Sequence, residues 1–271
     1  WFEYTNYTPH SGQMRLHFPE KSARFTVGVC GRRWGKTVSA SKEAECVLMQ
    51  PNKRVWVVAP TYGASEKVFR EIWNELINKQ QLPTRRASYK EQYIEFEWGS
   101  VFEGKSADNP NSLVGEGLDL LVMDEAAKIK KIIWDMYLRP TLSDRKGRCI
   151  FITTPEGFNW VYDCYSLGFH DEMWYSFNSP SWENQYAYPN GESDEDLIEA
   201  RRNMDSIIFD QEFGAKFTAM AGRVYPFDRT LDMGNFPYDP ALPTYCSLDF
   251  GYRMPAAIWF QTSKVEGRDH I

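Results

Sequence analysis

Residues 30–40 read CGRRWGKTVSA, between the apolar run FTVGV at 25–29 and a helical stretch, Val38–Met49. The tail of that stretch, Gly35-Lys36-Thr37, closes the phosphate-loop pattern G-x-x-x-x-G-K-[ST]. Counting back, the place of the first glycine belongs to Cys30, and Gly31 comes one residue late. The pattern is still chemically complete. Phosphates need backbone N–H groups converging on the anion, which a glycine-bearing turn entering a helix supplies. Lys36 adds a cation that reaches the β- and γ-phosphates, and the Thr37 hydroxyl can ligate Mg²⁺.

Two further strand ends bear on the same chemistry. LDLLVMDEAA, 118–127, is an apolar run that delivers Asp124 and Glu125 at its C-terminal end. Asp124 can hold Mg²⁺ through water there, and Glu125 can orient and deprotonate an attacking water. Alone the pair is an ordinary acidic helix cap; behind a Gly-Lys-Thr loop it points to nucleotide hydrolysis. CIFITTPEG, 149–157, brings Thr153 and Thr154 to the same sheet edge, where hydroxyls can sense the γ-phosphate.

Patterning extends this into a fold. Strands are expected at 24–29, 54–60, 93–98, 118–125 and 148–155, several of them continuously apolar as central strands are. Phe69, Ile72, Trp73, Leu76 and Ile77 lie on one helical stripe within 64–80. The alternation predicts an α/β domain with a mainly parallel central sheet flanked by helices. Residues 93–104 read instead as a hairpin turning at Gly99-Ser100, at the sheet edge. The polar stretch 178–196 reads as a loop. A helical stretch follows to about 214, opened by Ser193 with Asp196 three residues on. Residues 220–243 carry four prolines and read as a linker, after which 244–261 resumes β patterning.

Bulk composition sets limits. The 271 residues include 42% hydrophobic and 25% charged residues, enough for a sizeable core in one or two domains. No apolar run reaches the roughly 18 residues a membrane helix needs. The net charge of −6 argues against an all-over basic surface that grips nucleic acid, leaving room for local contacts at Lys128, Lys130, Lys131 or Arg85-Arg86. Five scattered cysteines without metal-like spacing are expected to be reduced thiols of an intracellular protein. The chain begins at Trp1 and is expected to be trimmed.

The motifs CGRRWGKT, EGKSADNPNSLVGEGLDLLVMDEAA, PTLSDRKG, ITTPEGFNWVYD and SLDFG, in this order, resemble the large terminase subunit of tailed bacteriophages over about residues 7–260. That family's phosphate loops carry an early arginine and often lack the first glycine, as Cys30-Gly31-Arg32 does. The resemblance implies a P-loop NTPase of the ASCE type over 1–218, a linker over 219–243, and the start of a truncated RNase H-like nuclease domain over 244–271. It implies an ATP site of Gln13, Gly31, Arg32, Arg33, Trp34, Gly35, Lys36 and Thr37, with Gln13 on the adenine and Arg32 near the γ-phosphate. Glu125, Arg32 and Lys36 would be catalytic, Thr153 and Thr154 would couple hydrolysis to motion, and Thr37, Asp124 and Asp249 would bind metal. Asp249 would belong to the nuclease centre. The cofactors would be ATP and Mg²⁺. The partners would be double-stranded DNA, a portal protein, a small terminase subunit and further copies in a ring, a pentamer, in the cytoplasm of the infected bacterial host. Some relatives place a finger arginine before the acidic strand; here that place holds Val114, leaving Arg139 or Arg145 as candidates acting on a neighbouring subunit. The competing readings are a superfamily-2-like helicase or other nucleic-acid-dependent ATPase, and a non-catalytic scaffold with a vestigial nucleotide fold.

Overall fold

The computed structural model describes residues 1–218, 237–249, 256–265 and 268–270. The chain divides into two units, Trp1–Gly222 and Arg223–Ile271.

The first unit opens with α1 (Ser11–His17), followed by β1 (Phe25–Cys30), α2 (Lys36–Leu48), β2 (Arg54–Ala59) and α3 (Tyr62–Ile72). Then come β3 (Thr84–Ser88), β4 (Tyr93–Phe96), β5 (Val101–Ser106) and β6 (Leu120–Asp124). Two short helical turns, α4 (Lys131–Ile133) and α5 (Arg139–Thr141), precede β7 (Arg148–Thr153). The unit closes with α6 (Trp160–Leu167), β8 (Trp174–Ser179), α7 (Glu195–Asn203) and α8 (Ser206–Glu212). The eight strands form one sheet in the order β3-β4-β5-β2-β6-β7-β1-β8. Pairing is parallel from β5 to β8, and only the β3-β4-β5 edge is antiparallel. The 93–104 hairpin turns at Gly99, whose φ of +83° a side-chain-bearing residue adopts only with strain.

Alternation along the strands fills two cores. Leu121 and Met123 of β6, with Cys149 and Phe151 of β7, face the side covered by α6 and the turn around Trp134. Leu120, Val122, Ile150 and Ile152 face the other side, under α2 and α3. On α2, Ala40, Ala44 and Leu48 recur every four residues, which lays one stripe of the helix on the sheet. Val68, Phe69, Ile72 and Leu76 do the same for α3 and the wider π-helical turn Trp73–Lys79 that continues it.

The structure corrects the sequence reading in five places. α1, β3 and β8 were not expected, and β8 takes the first two residues of the stretch read as a loop from 178. The helical stretch to 214 is two helices broken at Met204–Asp205. Its cap is Asp194, whose carboxylate accepts the Asp196 N–H, and Ser193 instead ends a 3₁₀ turn.

In the second unit, β9 (Thr244–Asp249) and β10 (Ala256–Gln261) pair antiparallel, as do the short β11 (Ser263–Val265) and β12 (Arg268–His270). Of the linker read over 219–243, residues 219–236 lie outside the described residues. No helix among the described residues is long and apolar enough to cross a membrane. All five cysteines are unpaired thiols.

Candidate functional site

β1 ends at Cys30, whose fully buried side chain belongs to the core under α2. The chain then needs Gly31, because a Cβ there would collide with Ser181 and lie 2.6 Å from the Phe213 carbonyl. Packing, rather than phosphate contact, thus places this glycine one residue late. The loop ends at Gly35, the N-cap of α2, with φ +99°. Between the two glycines, Arg33 is held at φ +60° by the turn. The indole of Trp34 is buried and donates to the Ser179 hydroxyl at the end of β8.

Loop, β6 and β7 end together. Lys36 Nζ donates to Thr154 Oγ1 at 2.8 Å and to the Gly31 carbonyl at 3.2 Å, and lies 3.9 Å from Glu125 Oε1. This ammonium occupies a ring of oxygens that an incoming phosphate would replace. Arg32, Arg33, Trp34, Gly35, Lys36, Thr37, Glu125 and Thr154 line one cleft of about 660 Å³. Arg32 is tied to α8: its backbone N–H donates to the Glu212 carbonyl at 2.7 Å, and its guanidinium pairs with the Glu212 carboxylate.

Asp124 sits beneath the cleft and is only 5% exposed. Its Oδ1 accepts the Glu125 N–H at 3.1 Å. Burial, and then the neighbouring Glu125 charge, push its carboxyl up to about 7, with Lys36 opposing. Glu125 adopts a left-handed backbone, φ +50°, which turns the chain out of the sheet and into the cleft. Thr153 is fully buried and lines nothing; its hydroxyl donates to the Thr154 carbonyl at 2.8 Å and accepts the Ala127 N–H at 3.2 Å. It therefore bolts the end of β7 to the turn that carries Glu125.

Gln13 lies in an adjoining hollow of about 400 Å³ that shares Gly35 and Val38 with the cleft. Its Oε1 accepts the His10 N–H at 3.1 Å, closing a capping box on α1, and its Nε2 reaches the Gly35 carbonyl at 3.5 Å. His10 Nδ1 accepts the Gly12 N–H, so the ring proton belongs on Nε2, which donates to the Trp34 carbonyl at 2.7 Å. Burial lowers the basicity of His10, which keeps this neutral tautomer.

The remaining residues are not brought to the cleft. Arg139 lies with its Cζ 5.1 Å over the ring of Phe25, the first residue of β1. Arg145 donates to the Asn52 carbonyl at 2.9 Å and to Asp119 at 3.1 Å, both preceding strands rather than following them. Asp249 is the last residue of β9, and its side chain lies outside the described residues. Val114 is exposed. Sequence reasoning missed Lys128 as a lining residue, together with Glu156, Gln211 and Glu212. Lys128 was visible only as one of a basic run, and α8 reaches the cleft from some 180 residues away, which no local pattern reports.

For Mg²⁺, the donors present fit a partial protein shell. Among the described residues no three or more His, Cys, Asp or Glu side chains cluster as a metal site, and the oxygens suited to a cation here are those of Thr37 in the cleft and the buried Asp124 beneath it. Mg²⁺ commonly takes one or two protein oxygens and completes its shell with phosphates and water.

A family model described as "Terminase large subunit, T4likevirus-type, N-terminal" matches residues 27–231. The terminase large subunit of Escherichia phage T5 is 34% identical over 266 residues, 93% of this chain and 59% of that protein. That of Thermus phage G20c is 30% identical over 258 residues, 83% of this chain and 52% of that protein. The chain thus spans little more than half the length of these curated relatives. The large terminase ATPase domain of Thermus phage P74-26 superposes with a TM-score of 0.69 at 30% identity, covering 80% of this chain and 97% of that domain. The large terminase of a thermophilic bacteriophage, solved in complex with ADP, shares the fold at 14% identity and a TM-score of 0.64, covering 97% of this chain and 66% of that one. With three quarters of its length inside the family's N-terminal region, this chain belongs to the large terminase subunits of tailed phages.

Proposed function

We propose that residues 1–218 form a P-loop ATPase domain that hydrolyses ATP with Mg²⁺ to drive double-stranded DNA into a viral capsid. Residues 219–243 would be its linker, and 244–271 the start of an RNase H-like nuclease domain in which Asp249 would bind metal. The observation that carries this reading is the convergence of Lys36, Thr37, Glu125 and Thr154 on one cleft at the C-terminal ends of β1, β6 and β7. The interposed β7 also supports an ASCE-type sheet, because it separates the loop strand from the acidic strand.

In this reading Lys36 leaves Thr154 and the Gly31 carbonyl for the β- and γ-phosphates, while the loop's N–H groups and the start of α2 hold the anion. Glu125 orients the attacking water and takes its proton. Thr37 and Asp124 would hold Mg²⁺, which supplies charge neutralisation on the phosphate oxygens. Arg32, released from Glu212, approaches the γ-phosphate, and Gln13 contacts the base from the adjoining hollow. Thr153 and Thr154 pass the loss of the γ-phosphate to the turn behind Glu125. Portal, small subunit and a homo-oligomeric ring in the host cytoplasm complete the motor.

DNA-stimulated ATP turnover tests the reading. Lys36→Ala should lose both binding and turnover. Glu125→Gln should bind ATP as the parent does and turn it over about 10²–10⁴-fold more slowly, the usual contribution of a general base. Near-parental turnover in Glu125→Gln would remove Glu125 from the chemistry; no DNA stimulation in any assembly state would remove the motor.

A further inference from the structure

The hollow beside the cleft has walls from two distant parts of the chain. Thr8, His10 and Gln13 form one wall, and Asn184 with Tyr186, from the stretch after β8, form the other. Tyr186 is 72% exposed. Its position is nevertheless fixed at both ends. The phenol donates to the Thr8 carbonyl at 3.2 Å, spanning the opening, and the backbone N–H donates to Asn184 Oδ1 at 3.1 Å. Asn184 Nδ2 in turn donates to the Arg33 carbonyl at 2.6 Å, and Ser181 Oγ donates to the Arg32 carbonyl at 2.6 Å. The stretch 181–186 is therefore a strap that grips two carbonyls of the phosphate loop and ends in an aromatic ring over the hollow.

We propose that Tyr186 is the platform on which the nucleobase stacks, held in register with the phosphate loop by Asn184 and Ser181. This rests on the nucleotide reading above. A triphosphate seated at Lys36 carries its base away from the cleft, and the hollow sharing Gly35 and Val38 is the adjoining space. Gln13 can discriminate among bases by hydrogen bonding but offers no flat surface; an aromatic face supplies affinity without discriminating. A ring already tied at both ends loses little freedom when a base settles on it.

Titration calorimetry on the full chain with two ligands, ATP and inorganic tripolyphosphate, separates base from phosphate. Tyr186→Ala should weaken ATP by about tenfold or more, the size of one base–aromatic stack, and leave tripolyphosphate unchanged. Tyr186→Phe keeps the ring and loses only the Thr8 bond, so it should restore most of the ATP affinity. Lys36→Ala should weaken both ligands. Unchanged ATP affinity in Tyr186→Ala, or an equal loss for both ligands, would overturn the platform while leaving the nucleotide site standing. Failure of the parent chain to bind either ligand would overturn both.

Discussion

Glu45 on α2 shows what a single buried carboxylate can reveal outside the cleft. Its side chain is fully buried; Oε2 accepts from Lys42 and from the Trp1 indole, both at 2.8 Å, while Oε1 has no partner. Burial pushes this carboxyl up to about 7, against the pull of Lys42, and Glu75 adds a like charge nearby. The folded state therefore binds a proton between the ordinary carboxylate range and about pH 7 that the unfolded chain has released. Its contribution to stability is complete below that range and is lost as pH rises through 7. At most about 3 kcal/mol is at stake. Glu45→Gln removes the titration, and Lys42 keeps its second partner, Glu75, at 3.6 Å. Urea unfolding at pH 5 and pH 8 should show the parent losing more stability than Glu45→Gln across the interval. Parallel losses would mean that Glu45 stays charged in the fold.

At the scale of elements, the parallel core was legible because β1, β2, β6 and β7 are buried on both faces and read as continuous apolar runs. Glu125 and Thr154 were legible because each follows directly on such a run, and Lys36 and Thr37 because their Gly-Lys-Thr signature follows one across a short loop. β3 was not: its sequence TRRAS is largely exposed, and it is a strand only because β4 offers it an edge. β8 was hidden for a related reason, since WYSFNS buries only Phe177 and Ser179 and so shows no continuous apolar run. The Glu212 and Tyr186 contributions were illegible because their partners, Arg32 and Thr8, lie 180 and 178 positions earlier. What the strands do for one another is testable at Thr153. Thr153→Val keeps the shape and removes the hydroxyl, leaving the Ala127 N–H without its partner. Denaturant unfolding should report a loss of about 1–3 kcal/mol, the cost of an unsatisfied buried group. In the proposed ATPase, turnover should fall more than ATP affinity, since β7 no longer fixes the turn behind Glu125. A variant with unchanged turnover would show that this bond supports the fold alone.

The whole molecule raises the question of which cation completes the cleft. Arg32, Arg33, Lys36 and Lys128 line it, but the Arg32 guanidinium is neutralised by Glu212. In phosphoryl transfer a well-placed arginine contributes about 10³–10⁵ in rate. Arg139 and Arg145 contact groups at the N-terminal ends of the strands, whereas the cleft lies at their C-terminal ends. Neither reaches its own chain's cleft, so either acts on a neighbouring copy or not at all. They differ in what holds them. Arg145 is bound to Asp119, which also takes Lys53, and to the Asn52 carbonyl; removing it disturbs a local network. Arg139 rests on the Phe25 ring with no carboxylate partner among the described residues, and is the better placed to swing to another subunit. The expectation is that Arg139→Ala and Glu125→Gln chains, each inactive alone, regain turnover when mixed. In a head-to-tail ring mixed one to one, about a quarter of the interfaces join an intact glutamate to an intact arginine, which caps the recovery. Turnover measured across mixing ratios, with assembly followed by light scattering, should peak at intermediate composition. A flat response in assembled mixtures would remove Arg139 from a neighbour's chemistry, and the same result with Arg145→Ala chains would leave Arg32 as the arginine that acts, each subunit hydrolysing independently of its neighbours.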